Sequence, residues 1–143
     1  LRREIIDKLF WGQSIMKVEQ RINYGYVIYD ITGDITYDNF TEIEDAIKDT
    51  LPDNFINVML NIERVPYINS SALGWLVKLM KEVNAKGYHF FLMNVNQEIM
   101  GLLKLTNTLQ YFKIIPNEQV LVEKEKKKEL DKILNEIEEE KQE

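Results

Sequence analysis

Asn69-Ser70-Ser71 follows the apolar run Val58-Met59-Leu60-Asn61-Ile62 after a short loop and directly precedes a periodic segment that opens Ala72-Leu73-Gly74. Two serines at the start of a helix can do two kinds of chemistry. A hydroxyl can accept a backbone N–H of the first turn and cap the helix. It can also carry a phosphoryl group, which the free N–H groups and the positive end of the helix dipole would hold. The spacing predicts that Ser70 or Ser71 accepts the capping bond, and it leaves the phosphate chemistry open.

The other reactive side chains form no catalytic set. His89 is the only histidine and heads a buried-type strand. No glycine-rich phosphate loop, no Ser-His-Asp arrangement and no metal-ligand spacing is present. The carboxylates fall on helix faces and in the tail, where they read as solvated surface. No catalytic residue, metal or cofactor is assigned.

The 143 residues suit one domain with one appendage, and 45% apolar residues suffice for a core. There is no cysteine, which excludes disulfides and thiolate metal sites. No apolar run is long enough to span a bilayer and no secretory signal is visible, so the expectation is a cytoplasmic protein without membrane insertion. Of the net charge of −6, residues 117–143 supply −4, from ten acidic and six basic side chains. Neither the tail nor the nearly balanced body carries the basic stripe that nucleic-acid binding needs.

The elements that must position the serines can be followed along the chain. Leu1 opens it, and Met16-Lys17-Val18 reads as a natural start. Residues 1–15 are therefore expected to be an N-terminal extension or added sequence. Ile5, Ile6, Leu9 and Phe10 give them a short helical stripe, either packed on a protein surface or lying on a membrane. Lys17–Ile22 and Tyr26–Thr32 flank a Gly25 turn and predict a hairpin. Phe40, Ile43, Ile47 and Leu51 share a helical face, with Asp38 or Asn39 as cap.

Phe55–Leu60 and Tyr88–Met93 read as buried strands. Between them, Leu73, Leu76, Val77, Met80, Val83 and Asn84 define a helix that Gly87 ends. Asn94 or Asn96 caps a third helix carrying Ile99, Leu102 and Leu103, and Asn107 supplies a left-handed residue at its end. Tyr111–Ile115 is a short extended piece. Beyond Pro116, Leu130, Ile133, Leu134 and Ile137 form a narrow stripe on a charged helix, expected to pack on its own domain or to form a homodimer. The fold class is α/β: a mixed sheet of about four strands, helices mainly on one face, and a charged C-terminal helix. Leu60, Leu73, Val77, Met80, Phe91 and Leu103 are the predicted core.

Taken together, Gly33-Asp34-Ile35, the strand Val58–Ile62, Ser70-Ser71-Ala72-Leu73-Gly74, Leu103-Lys104-Leu105-Thr106 and Tyr111-Phe112-Lys113-Ile114 occur in an order that resembles the STAS domain family, whose best-known members are bacterial anti-sigma-factor antagonists. The resemblance covers roughly residues 16–122, with 123–143 as a charged helical tail; its specific part is the serine run. It implies a non-enzymatic partner switch. The unphosphorylated domain binds an anti-sigma factor that is also a serine kinase, phosphorylation at the position matching Ser70 breaks the complex, and a phosphatase resets it.

This chain departs from the family pattern in three places: Asn69 replaces an Asp, Ala72 replaces a Gly, and Thr36 stands where a second Asp is frequent. The two missing carboxylates make the pocket less negative if both lie near the serine. Asp34, Thr36, Asn69, Ser71, Trp75 and Lys78 are the expected partner-binding residues beside Ser70, with Ser71 as the alternative phosphorylation site. A helical wheel centred on Leu73, Val77, Met80 and Asn84 turns Trp75 outward beside Ser71, Lys78 and Glu82. Trp75 is then either an interface anchor or a side chain covered by the N-terminal segment or the tail. The competing function is an unswitched STAS accessory module of a transport or sensory complex.

Overall fold

The computed structural model describes residues 16–142, so the expectations for residues 1–15 lie outside the described residues. Strands β1 (Lys17–Asn23) and β2 (Tyr26–Thr32) form the hairpin. Both turn residues, Tyr24 and Gly25, have positive φ, 58° and 79°. A two-residue turn of that kind matches the twist of the strands it joins. Helix α1 (Phe40–Thr50), strand β3 (Asn57–Arg64), helix α2 (Ser70–Ala85), strand β4 (His89–Met93), helix α3 (Gln97–Leu105), strand β5 (Lys113–Ile115) and helix α4 (Glu118–Gln142) follow.

The sheet has five strands in the order β1-β2-β3-β4-β5, with β1 antiparallel to β2 and the other pairs parallel. The fifth strand exceeds the expected four. It is the extended piece after Tyr111, three residues paired to Phe91–Met93, too short to show a period of two. The edges are one strand rich in charge and one very short strand, both of which discourage further pairing. Met59 sits directly beside Phe91, which puts the two central strands in one sheet.

β3 is apolar on both faces because both faces are covered. Val58, Leu60 and Ile62 join Val27, Tyr29, Ile31, Phe90 and Leu92 under α1, α2 and α3. Met59 joins Ile28, Met93, Ile115 and Leu121 on the other face, under the first turns of α4. Leu60, Leu73, Met80 and Leu103 are buried as expected. Val77 and Phe91 are only half-buried. Phe91 lies on the α4 side, edge-on to Tyr26 with the Lys113 ammonium 5.6 Å above its ring, because the first turns of α4 cover only part of that face.

The helix ends follow local chemistry. Asn96 Oδ1 accepts the Ile99 N–H at 2.8 Å and caps α3. At the far end of α2, Tyr88 N–H bonds Val83 C=O and Gly87 N–H bonds Asn84 C=O, with Gly87 at φ 93°. Asn107, at φ 57°, closes α3 in the same way. Both are Schellman endings that require a left-handed residue.

α4 is tied to the hairpin by charge. Arg21 Nε donates to Asp30 at 2.7 Å, its Nη1 donates to Glu118 at 3.0 Å, and the Tyr24 hydroxyl donates to Glu118 at 3.0 Å. Arg21 is held protonated by these partners, and its hydrogen bonds, with Tyr24 adding to them, hold the Glu118 carboxyl below its ordinary range. From Glu123 to Gln142 every residue of α4 is exposed, so the stripe Leu130, Ile133, Leu134 and Ile137 does not pack on the described domain.

Candidate functional site

The loop before α2 is held by an unusual neighbour, the loop after β2. Ile35 and Ile68 form an isolated parallel bridge. Ile35 N–H donates to Tyr67 C=O at 3.0 Å, Asn69 N–H donates to Ile35 C=O at 3.3 Å, and Gly33 N–H donates to Arg64 C=O at 3.0 Å. Ile35 and Ile68 are buried, which anchors both loops in the core. The 33–36 and 64–69 segments therefore run side by side, so the loop that carries Asp34 and Thr36 flanks the segment leading into Ser70. Asn39 stiffens the first loop: its amide donates to Asp34 C=O at 2.7 Å and accepts from Thr36 N–H at 2.9 Å. Asn39 occupies the cap position of α1, but its side chain serves this loop instead of the helix. One Asp34 carboxylate oxygen is buried without a hydrogen-bond partner among the described residues.

The cap of α2 is not a serine. Asn69 Oδ1 accepts the Ala72 N–H at 2.8 Å, and Leu73 N–H bonds Asn69 C=O at 2.9 Å. Asn69 has the extended backbone of a cap residue (φ −81°, ψ 168°), and Ser70 is the first helical residue. The expectation of a serine cap was one residue out of place. The consequence is chemical: Ser70 and Ser71 are both exposed, and neither hydroxyl is needed to satisfy the helix end. The N–H groups of Ser70 and Ser71 belong to the unpaired first turn, where an anion would be stabilised.

Trp75 corrects the helical wheel. Its side chain is 6% exposed. It stacks on Phe40 of α1, ring centroids 5.3 Å apart, and its indole N–H donates to Glu44 at 3.2 Å. The cover comes from α1, not from the tail. The buried face of α2 runs through Ala72, Leu76, Leu79 and Val83, about one residue round from the predicted centre. From Ala72 to Met80 the sequence is apolar nearly all round, so periodicity alone did not locate the face. Glu44 also pairs with Lys48, which reaches Glu82 at 2.9 Å, so a charged seam closes the α1–α2 contact. These bonds, Lys48 first, lower the Glu44 pKa. An exposed aromatic anchor at position 75 is therefore absent.

Lys78 is exposed, two turns further along α2, about 12 Å from Ser70 along the axis, and its nearest carboxylate is Glu82 at 3.9 Å. It belongs to the same helix surface but not to the loop cluster. Residues that sequence reasoning overlooked lie closer. Tyr67 is 52% exposed, and with Pro66, Ile68, Ser70, Glu98, Ile99 and Leu102 it lines a surface pocket of about 300 Å³. Tyr37 is 69% exposed beside Phe40. The available signal was a Pro-Tyr pair in a loop next to the serines, an aromatic where loop chemistry predicts small polar residues. Among the described residues there is no cluster of His, Asp and Glu suited to a metal ion.

This arrangement, a mixed sheet with the open first turn of a helix braced by a neighbouring loop, defines a small α/β domain. The sequence profile of the STAS domain matches residues 16–121, and the chain belongs to that family. Solved structures share the fold. An anti-sigma factor antagonist from Mycobacterium paratuberculosis superposes with a TM-score of 0.63 at 15% identity, covering 78% of this chain and 95% of that one. The phosphorylated form of the Bacillus cell fate determinant SpoIIAA gives 0.56 at 15%, covering 76% and 98%. The murine anion transporter Slc26a9 gives 0.68 at 13%, covering 85% of this chain and 24% of the transporter. No described helix is long and apolar enough to cross a membrane.

Proposed function

We propose that this STAS domain is a non-enzymatic partner switch whose binding surface is the start of α2 with the 33–36 loop, and whose control point is phosphorylation of Ser70. The observation that carries the reading is the Asn69 cap. Because Asn69 secures the helix, the exposed Ser70 hydroxyl is spared for a kinase, and a phosphate placed there meets the open N–H groups of the first turn. The added charge of about −1.5 to −2 then changes the surface a partner reads while the fold tolerates it. The partner class supported by the antagonist-like fold is an anti-sigma factor with serine kinase activity, with a phosphatase to reverse the mark.

Asn69 also favours a second reading. It is uncharged where the family pattern has an acid, and the domain superposes on part of an anion transporter, so an unswitched accessory module is the alternative. The test is incubation with an anti-sigma-type serine kinase of the same genome, followed by mass spectrometry of the peptide spanning 69–78. Label at Ser70, lost in Ser70→Ala, is the expected outcome. Ser70→Asp is expected to abolish kinase binding with an unchanged melting temperature. No label together with unchanged binding by Ser70→Asp moves the protein to the accessory-module reading.

A further inference from the structure

The far half of α4 carries apolar and charged residues that match an antiparallel copy of themselves. Leu130, Ile133, Leu134 and Ile137 are 43–56% exposed and share one face at the i, i+3, i+4, i+7 spacing of a helix–helix seam. On the N-terminal side of the stripe lie Lys124, Lys126, Lys127 and Lys128. On its C-terminal side lie Glu136, Glu138, Glu139 and Glu140. Glu123, Glu125 and Glu129 interleave those lysines and Lys141 follows those glutamates, so the stripe separates a nearly balanced arm, 123–129 at net +1, from an acidic one, 136–142 at net −3.

We propose that the occupant of this face is a second copy of the chain, with the two α4 helices antiparallel about a two-fold axis near Lys132. A register that sets Leu130 against Leu134 of the second copy brings Lys126 level with Glu138, Lys124 with Glu140 and Glu123 with Lys141, against one like-charged match, Glu125 with Glu139. It also lays the Lys127 stem over Ile137 of the second copy, an apolar cover with its ammonium free to reach water. A parallel pair would place the lysines against lysines and the glutamates against glutamates, which like-charge repulsion disfavours.

An open groove of about 430 Å³, lined by Tyr24, Val122, Glu125, Lys126, Glu129, Leu130 and Ile133, continues the stripe toward the hairpin. An isologous pair of this kind closes on itself as a dimer. The Ser70 surface takes no part in it, so this interface stands or falls independently of the switch.

Sedimentation equilibrium of the full chain is expected to give twice the 17.0 kDa chain mass, with the dimer weakening as salt rises. Lys124→Glu with Lys126→Glu is expected to weaken association by about tenfold or more, as is Glu138→Lys with Glu140→Lys. The four substitutions together are expected to restore it, because an antiparallel pair is again complementary while a parallel pair is not. The chain contains no cysteine, so orientation is readable directly. Lys126→Cys mixed with Glu138→Cys is expected to give the mixed disulfide, while Lys126→Cys alone does not, its thiols lying about 18 Å apart.

A mass of 17.0 kDa, that of one chain, at all concentrations overturns the proposal, whatever covers the stripe instead. So does a dimer that survives Leu130→Asp with Leu134→Asp in a protein whose circular dichroism is unchanged, since the interface then lies elsewhere. Self-linking of Lys126→Cys overturns the antiparallel orientation.

Discussion

The start of α2 depends on one amide. Asn69 accepts the first-turn N–H, and its own N–H is fixed to the neighbouring loop through Ile35. Asn69→Ala is expected to lower stability by about 1 kcal/mol in urea denaturation, the usual cost of losing a cap. Ser70→Ala and Ser71→Ala are expected to stay within about 0.5 kcal/mol of the parent, since their hydroxyls face solvent. The reverse order would return the cap to a serine and undo the argument that Ser70 is spared. Asn69→Asp keeps the acceptor and adds charge at the favourable helix end, so its stability is expected to match or exceed the parent's. If a kinase labels Ser70 better in that variant, it reads the acid that the family pattern has at this position.

At the scale of elements, α1 and α2 are joined by an aromatic stack inside a charged seam. Trp75 rests on Phe40 and bonds Glu44, and Lys48 ties Glu44 to Glu82. Trp75→Ala is expected to cost about 3–5 kcal/mol in chemical denaturation, because a large buried ring leaves a cavity between two helices that cannot both collapse on it. A loss under about 1 kcal/mol would mean that the ring is exposed in solution and free for a partner after all. Lys48→Ala is expected to do far less, as exposed ion pairs contribute little individually.

At the scale of the whole molecule, α4 is fastened to the far face of the sheet by Arg21 between Asp30 and Glu118. The folded-state pKa of Glu118 lies below its ordinary 4.5, chiefly through the Arg21 hydrogen bonds. A carboxylate with a depressed pKa contributes stability that is fully present above that ordinary value and is lost as pH falls through the lower, folded-state value. The parent is therefore expected to exceed Glu118→Gln in urea midpoint at neutral pH, with the gap closing in acid below pH 4.5. A gap independent of pH would show that the ion pair does not hold α4 on the sheet.

Local patterns in the chain determined most of the elements and several of their ends. Asn94 and Asn96 both announced the start of a helix, with Asn96 the one whose oxygen accepts the third N–H along, and Gly87 and Asn107 stand where a helix needs a left-handed residue. The hairpin followed from two β-type runs around Gly25, and the central strand from an apolar run that only a sheet covered on both sides can bury. The serines were legible as a helix start, yet the capping residue was not, because Asn69, Ser70 and Ser71 all carry a competent oxygen and backbone angles choose among them.

Which face of α2 is buried was not legible either. Apolar residues surround its first turns, and the choice is made by the sheet on one side and α1 on the other. The pairing of the 33–36 loop with the segment before α2 came from the Ile35–Ile68 bridge, and the docking of α4 from an arginine and a glutamate 97 residues apart. Pairings of that separation leave no periodic trace along the chain, because they depend on where the sheet brings two distant segments and not on the spacing within either one.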